Sequence, residues 1–87
     1  MTKHQTYRNL TASALVKTGA GVLVGMYVNS TNAGTIKFWD QTSAAIPVIN
    51  NTITPAIGYH NLGGANFTTG LYATIGGTAL DVTLYYE

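Results

Sequence analysis

Apolar and polar residues alternate along most of this chain in short runs, broken by glycine, asparagine or proline every ten residues or so. Successive side chains of a strand point to opposite faces, so such runs predict half-buried β-strands rather than helices. Val22 to Val28 shows this best. It places Val22, Val24, Met26 and Val28 on one face and Leu23, Gly25 and Tyr27 on the other. Thr35 to Asp40 brings Ile36 and Phe38 together, and Leu71 to Ile75 does the same for Leu71, Ala73 and Ile75. Leu80 to Tyr86 aligns Val82, Leu84 and Tyr86. Ala14 to Lys17, Val48 to Thr54 and Tyr59 to Leu62 supply shorter candidates, with Val48 facing away from Ile49 and Ile53. Between these runs, the cluster Asn29 to Gly34 and the pairs Gly63-Gly64 and Gly76-Gly77 read as turns. Pro55 ends its strand because proline cannot donate to a ladder.

The punctuation implies about seven or eight antiparallel strands in a single all-β domain. A small jelly-roll-like β-sandwich accommodates them best, with a small barrel as the alternative. Thr2 to Arg8 is polar and offers no core residue until Leu10, so a flexible N-terminal arm is expected over residues 1–12, ahead of a domain over 13–87.

Composition reinforces this class. Fourteen Thr, six Val, six Ile and nine aromatics favour a pleated surface, whereas Glu, Lys, Arg and Gln together number seven. Charge changes the picture more. Four Lys/Arg and three Asp/Glu make 8% of 87 residues, against about a quarter in an ordinary soluble domain. A net charge of +1 argues against a nucleic-acid partner, which needs a clustered basic face. Zero cysteines exclude a disulfide scaffold and a thiolate zinc site. The longest apolar-plus-glycine run, Ala20 to Val28, is too short for a membrane-spanning helix, and the polar start lacks a signal-peptide core. The expectation is a protein made in a cytoplasm, without a membrane partner.

Few residues offer chemistry. Asp40, Asp81 and Glu87 are scattered and do not form an acid/base pair by spacing. His4 and His60 lack a third ligand, and Ser13, Ser30 and Ser43 lack a nucleophile-elbow pattern. The glycine pairs precede strands, not helices, and no P-loop lysine follows them. Four Asn-x-Thr tripeptides, beginning at Asn9, Asn29, Asn50 and Asn66, read as turns in a Thr-rich chain. No catalytic residue, metal ligand or cofactor is expected.

The second face of the strands carries the stronger signal. Leu23, Tyr27, Trp39, Tyr72 and Tyr85 share it with Thr35, Lys37, Thr74 and Thr83, where a solvated sheet would present Lys and Glu. Aromatics there either cover a small core or form an interface, since Tyr and Trp are enriched in interface centres. The interface candidates are Trp39, Tyr27, Tyr72, Tyr85 and Lys37. In the arm, Lys3 and Arg8 are candidates for anchoring on an acidic patch of a neighbouring subunit. A domain this small, with neither disulfide nor metal, commonly gains stability by self-association.

Three stretches also carry a resemblance. Asn29 to Asp40 (NSTNAGTIKFWD), Asn50 to Pro55 (NNTITP) and Phe67 to Tyr86 (FTTGLYATIGGTALDVTLYY) resemble recurrent segments of small virion structural proteins of tailed bacteriophages. The resemblance runs from about Leu15 to the C-terminus, and its motifs are turn-and-strand signatures rather than chemical ones. It implies a non-enzymatic β-sandwich that binds a capsid or tail surface. The expected role is capsid decoration (cement): a homo-oligomer, a trimer first of all, that bridges major capsid protein subunits on the capsid surface of the virion. A tail-fibre receptor- or carbohydrate-binding module and a tail or neck ring component are the alternatives.

Overall fold

The computed structural model describes residues 5–87. Among them are six strands and no helix: β1 (Thr6–Leu10), β2 (Ala14–Thr18), β3 (Gly21–Trp39), β4 (Val48–Ile53), β5 (Gly58–Phe67) and β6 (Gly70–Tyr86). Every pairing is antiparallel. The strands form one hydrogen-bonded sheet in the order β1-β6-β3-β4, with β2 also on β6 and β5 also on β3.

Two long strands make the spine. β3 and β6 pair from Leu23↔Tyr86 at one end to Trp39↔Tyr72 at the other. One rim follows the free side of β6, where β1 covers its C-terminal half and β2 its N-terminal half. The other rim follows the free side of β3, with β5 along Gly21 to Val28 and β4 along Ile36 to Trp39. The sheet is thus four strands wide at each end and bends in the middle.

The bend sets how the chain divides into strands, because β3 and β6 each run on through a segment expected to be a turn. Asn29 to Gly34 and Gly76-Gly77 do not reverse the chain; they face each other across the ribbon, with Ser30↔Asp81, Asn32↔Thr78 and Thr35↔Gly76 in register. Each side shifts register there, and Ala33, Gly77 and Ala79 have positive φ, so both strands kink together. Gly77 is required at this point, because a Cβ would sit 2.6 Å from the Ala33 carbonyl oxygen. Gly63-Gly64 likewise forms a bulge inside β5, where pairing jumps from Leu23↔Ala65 to Gly25↔Asn61. The all-β, antiparallel expectation therefore holds. In place of two jelly-roll sheets, a single sheet curls into a half-barrel.

The concave side holds one core. Leu23, Met26, Val28, Val82 and Leu84 come from the β1/β5 end, and Ile36, Phe38, Leu71 and Ala73 from the β2/β4 end. Ile49, Ile53, Ile75 and Tyr86 pack around its margin. Burying each large apolar side chain is worth about 1.5–3 kcal/mol. The expected inward sets of β6 and of the second half of β3 are the observed ones. The first half of β3 is the exception: Leu23, expected on the outer face with the aromatics, is fully buried, whereas Val22 and Val24, expected to share a face with Met26 and Val28, are only partly buried and lie outside the core. A register shift between Leu23 and Gly25 inserts an extra step into the alternation and turns Leu23 inward.

The arm also differs. Residues 6–10 form β1, in regular register from Thr6↔Tyr86 to Leu10↔Val82, and Leu10 is buried in the core. Backbone pairing and one leucine outweigh the polarity of the segment.

Candidate interface

On the convex face the strand registers bring the outward side chains into two groups. At the β2/β4 end a row crosses four strands, Leu15↔Tyr72, Tyr72↔Trp39 and Trp39↔Val48. Such directly opposed pairs are the contacts that stabilise a sheet surface. Trp39 is half-buried and held on two sides. Its Nε1–H donates to the Thr74 hydroxyl at 2.9 Å, and the Lys37 ammonium lies 4.2 Å from its ring centroid. The alternation of β3 explains the grouping: Thr35, Lys37 and Trp39 point out while Ile36 and Phe38 point in.

At the β1/β5 end the group consists of tyrosines. Tyr7 opposes Tyr85 across β1 and β6, and Tyr27 opposes Tyr59 across β3 and β5. Tyr59 leans diagonally over Gly25 onto Tyr85, with ring centroids 6.3 Å apart and planes tilted by 46°. A Cβ at Gly25 would collide with the Tyr59 ring and hydroxyl, so glycine is what admits the ring. Tyr7, Tyr59 and Tyr27 remain exposed at 71%, 53% and 43%.

Polar pairs sit between and beside these groups. Next to the tyrosines, Asp81 accepts from the side-chain amides of Asn9 (2.6 Å) and Asn29 (3.3 Å), and both amides also reach the Thr83 hydroxyl. Next to Trp39, the Asp40 carboxylate closes the turn between β5 and β6. It accepts from the backbone N–H groups of Thr68, Thr69 and Gly70 at 2.8–3.3 Å, and from the Thr68 hydroxyl. Desolvation pushes the Asp40 pKa up, but the hydrogen bonds from Thr69, Thr68 and Gly70 outweigh it and hold it below the ordinary aspartate value. Both aspartates tie neighbouring segments of the sheet together through these hydrogen bonds.

Of the five residues expected at an interface, Trp39, Tyr72 and Lys37 thus fall in one group and Tyr27 and Tyr85 in the other. Arg8 is turned onto its own chain, with Nη1 donating to the Leu15 carbonyl at 2.7 Å. That bond links β1 to β2 and occupies part of the guanidinium. Lys3 lies outside the described residues. Sequence reasoning missed Tyr7, Tyr59 and Leu15. Tyr59 was recoverable, since it lies in a short alternating run, but its register with Tyr27 depends on the bulge in β5. Tyr7 was hidden by the reading of its segment as an arm.

Among the described residues, no three His, Asp or Glu side chains gather, and no ligand-sized cavity opens. His60 is engaged locally, with Nε2 2.8 Å from the Ala56 carbonyl oxygen. Comparison with protein-family models, curated proteins and solved structures finds no match for this chain.

Proposed function

We propose that this chain is a non-enzymatic structural protein that docks by the convex face of its sheet, and that its station is the surface of a phage capsid. The observation that carries the reading is the Leu15–Tyr72–Trp39–Val48 row, a strip of apolar and aromatic side chains on the side facing away from the core. A strip of this kind on the outer side of a charge-poor sheet suits an interface centre, where aromatics are enriched and Lys and Glu depleted. The capsid assignment rests on the resemblance of residues 29–40, 50–55 and 67–86 to small virion proteins. It does not require a jelly-roll topology, because a rigid curled sheet presents the same face.

In this reading each copy seats Trp39 and Tyr72 on a major capsid protein and spans neighbouring subunits, reinforcing the shell. An interface of about 800 Å² per partner suffices when it is repeated over a lattice, because avidity multiplies modest affinities. The test is saturable binding of the purified protein to expanded, undecorated capsids, followed by their resistance to heat. Binding with a raised disruption temperature supports the reading. No binding to capsids, together with retention on a glycan array, transfers the exposed tyrosines to the carbohydrate-binding alternative. Binding to tails alone moves the protein to a tail or neck ring.

A further inference from the structure

The tyrosine end of the convex face has a composition of its own. Two neighbouring rows cross four strands there, Tyr7–Tyr85–Gly25–Asn61 and Asn9–Thr83–Tyr27–Tyr59. Residues two apart on a strand share a face, so the rows interleave aromatic rings with amides and a hydroxyl. Every side chain in them ends in a polar group, whereas Leu15 and Val48 make the tryptophan row half aliphatic. The rows span three strand spacings, about 14 Å. Tyr59 lies over Gly25 against Tyr85 and joins the rings of β5 and β6 into one surface. At its edge, Asn9 and Asn29 direct their amide N–H groups to Asp81 and Thr83. Their Oδ1 atoms, and the Asp81 Oδ2 atom, accept no hydrogen bond among the described residues.

We propose that this patch is a binding platform for a neutral glycan chain. The polar tips select the occupant. Covered by a protein face, each tip would need a partner of its own, at about 1–3 kcal/mol for every one left unmet. A sugar chain supplies both halves of the contact. Its C–H faces lie on tyrosine rings, while its hydroxyls donate to the amide and carboxylate oxygens and accept from the tyrosine hydroxyls. The same acceptor edge, with the Asp81 charge in it, disfavours acidic sugars. No ligand-sized cavity encloses the rings among the described residues, so the surface suits a chain lying across it rather than a small cation caged between aromatics. Tyrosine, with few rotatable bonds, is also ordered at little entropic cost. The inference does not rest on the capsid reading, because it uses no residue of the tryptophan row. Sugar binding and capsid binding are read separately, and either can fail alone.

The experiment is a nuclear magnetic resonance titration of the full chain with cellohexaose, chitohexaose, maltohexaose and mannohexaose, with hexagalacturonate as the acidic counterpart. At least one neutral hexaose is expected to bind with a Kd of about 1 mM or tighter. It should move the tyrosine rings and the side-chain amides of Asn9 and Asn29, and leave the Trp39 indole N–H in place. Tyr27→Ala and Tyr59→Ala should each weaken binding at least about tenfold, the scale of one lost aromatic contact. Both rings are exposed, so the fold should persist, and the variants' own spectra report it. Tyr7→Ala removes a third exposed ring and stands in for either variant that fails to fold. Ile46→Ser, in an exposed loop, should leave binding unchanged. Four results would each overturn the platform: no neutral hexaose bound at about 10 mM, hexagalacturonate bound as tightly as the best neutral chain, folded tyrosine variants with wild-type affinity, or tyrosine shifts that follow protein concentration without sugar, as a second copy on the patch would give.

Discussion

The two aromatic groups of the convex face sit on the same pair of spine strands, yet they are built differently. At the β2/β4 end, Trp39 is fixed by a hydrogen bond to Thr74 and by Lys37 above its ring, and Asp40 ties the neighbouring turn to the strand. At the β1/β5 end, Tyr7, Tyr27 and Tyr59 project into solvent, and ring contact with Tyr85 plus the gap at Gly25 organise the group. A side chain already held in its bound geometry loses less conformational entropy on docking. Exposed tyrosines, with few rotatable bonds and a polar tip, adapt to varied partners. In the proposed docking, the tryptophan end is therefore the anchor, and the tyrosine end the adaptable flank.

Substitutions can break this contrast, and their effects should be graded. Gly25→Ala should be the most damaging, at about 1–3 kcal/mol in urea unfolding, because the added methyl displaces Tyr59 and crowds the His60 carbonyl. It should also abolish the Tyr59–Tyr85 contact, visible as a change in near-ultraviolet circular dichroism. Asp40→Ala should cost about 1 kcal/mol, since it removes the acceptor shared by three backbone N–H groups at a site where solvent screens the charge. The same carboxylate makes stability pH-dependent. Its folded pKa lies below the unfolded value of about 3.9, so its contribution is complete above that value and is lost as pH falls through the folded pKa. Wild-type stability should thus fall between pH 5 and pH 2 more than that of Asp40→Ala, as measured by urea midpoints. Trp39→Phe should cost about 1 kcal/mol or less through loss of the bond to Thr74. Lys37→Gln should cost about 0.5 kcal/mol, the size of an exposed cation–π contact. Tyr59→Phe should fall within experimental error, and a cost equal to that of Trp39→Phe would erase the contrast.

Much of the fold was legible where alternation is unbroken. Ile36 and Phe38, Leu71 and Ala73, and Val82 and Leu84 all face inward as their spacing requires. The misread turns share one physical cause, distinct from the polarity that hid β1. Glycine and asparagine permit positive φ, but sequence does not reveal whether the chain then turns back or merely kinks. Asn29 to Gly34 and Gly76-Gly77 kink because each finds the other across the ribbon, which is a pairing property invisible in either segment alone. The bulge beside Gly25 moved Leu23 into the core for the same reason. Trp39, Lys37 and Tyr72 were legible as outward residues, but their union into one row with Leu15 and Val48 needed the registers of β2 and β4. The separation of Tyr27 and Tyr85 from them followed from the bend, which no local pattern announces.

The central claim is that the convex face, anchored by Trp39, is a docking surface rather than a cover for the core. Its most direct test compares Trp39→Ala with the wild type in binding to undecorated capsids, with thermal unfolding of both proteins measured alongside. The account predicts at least about a 30-fold loss of affinity, the scale of an interface hot spot, while the variant remains folded at the binding temperature. Unchanged capsid affinity in a folded Trp39→Ala protein would contradict it.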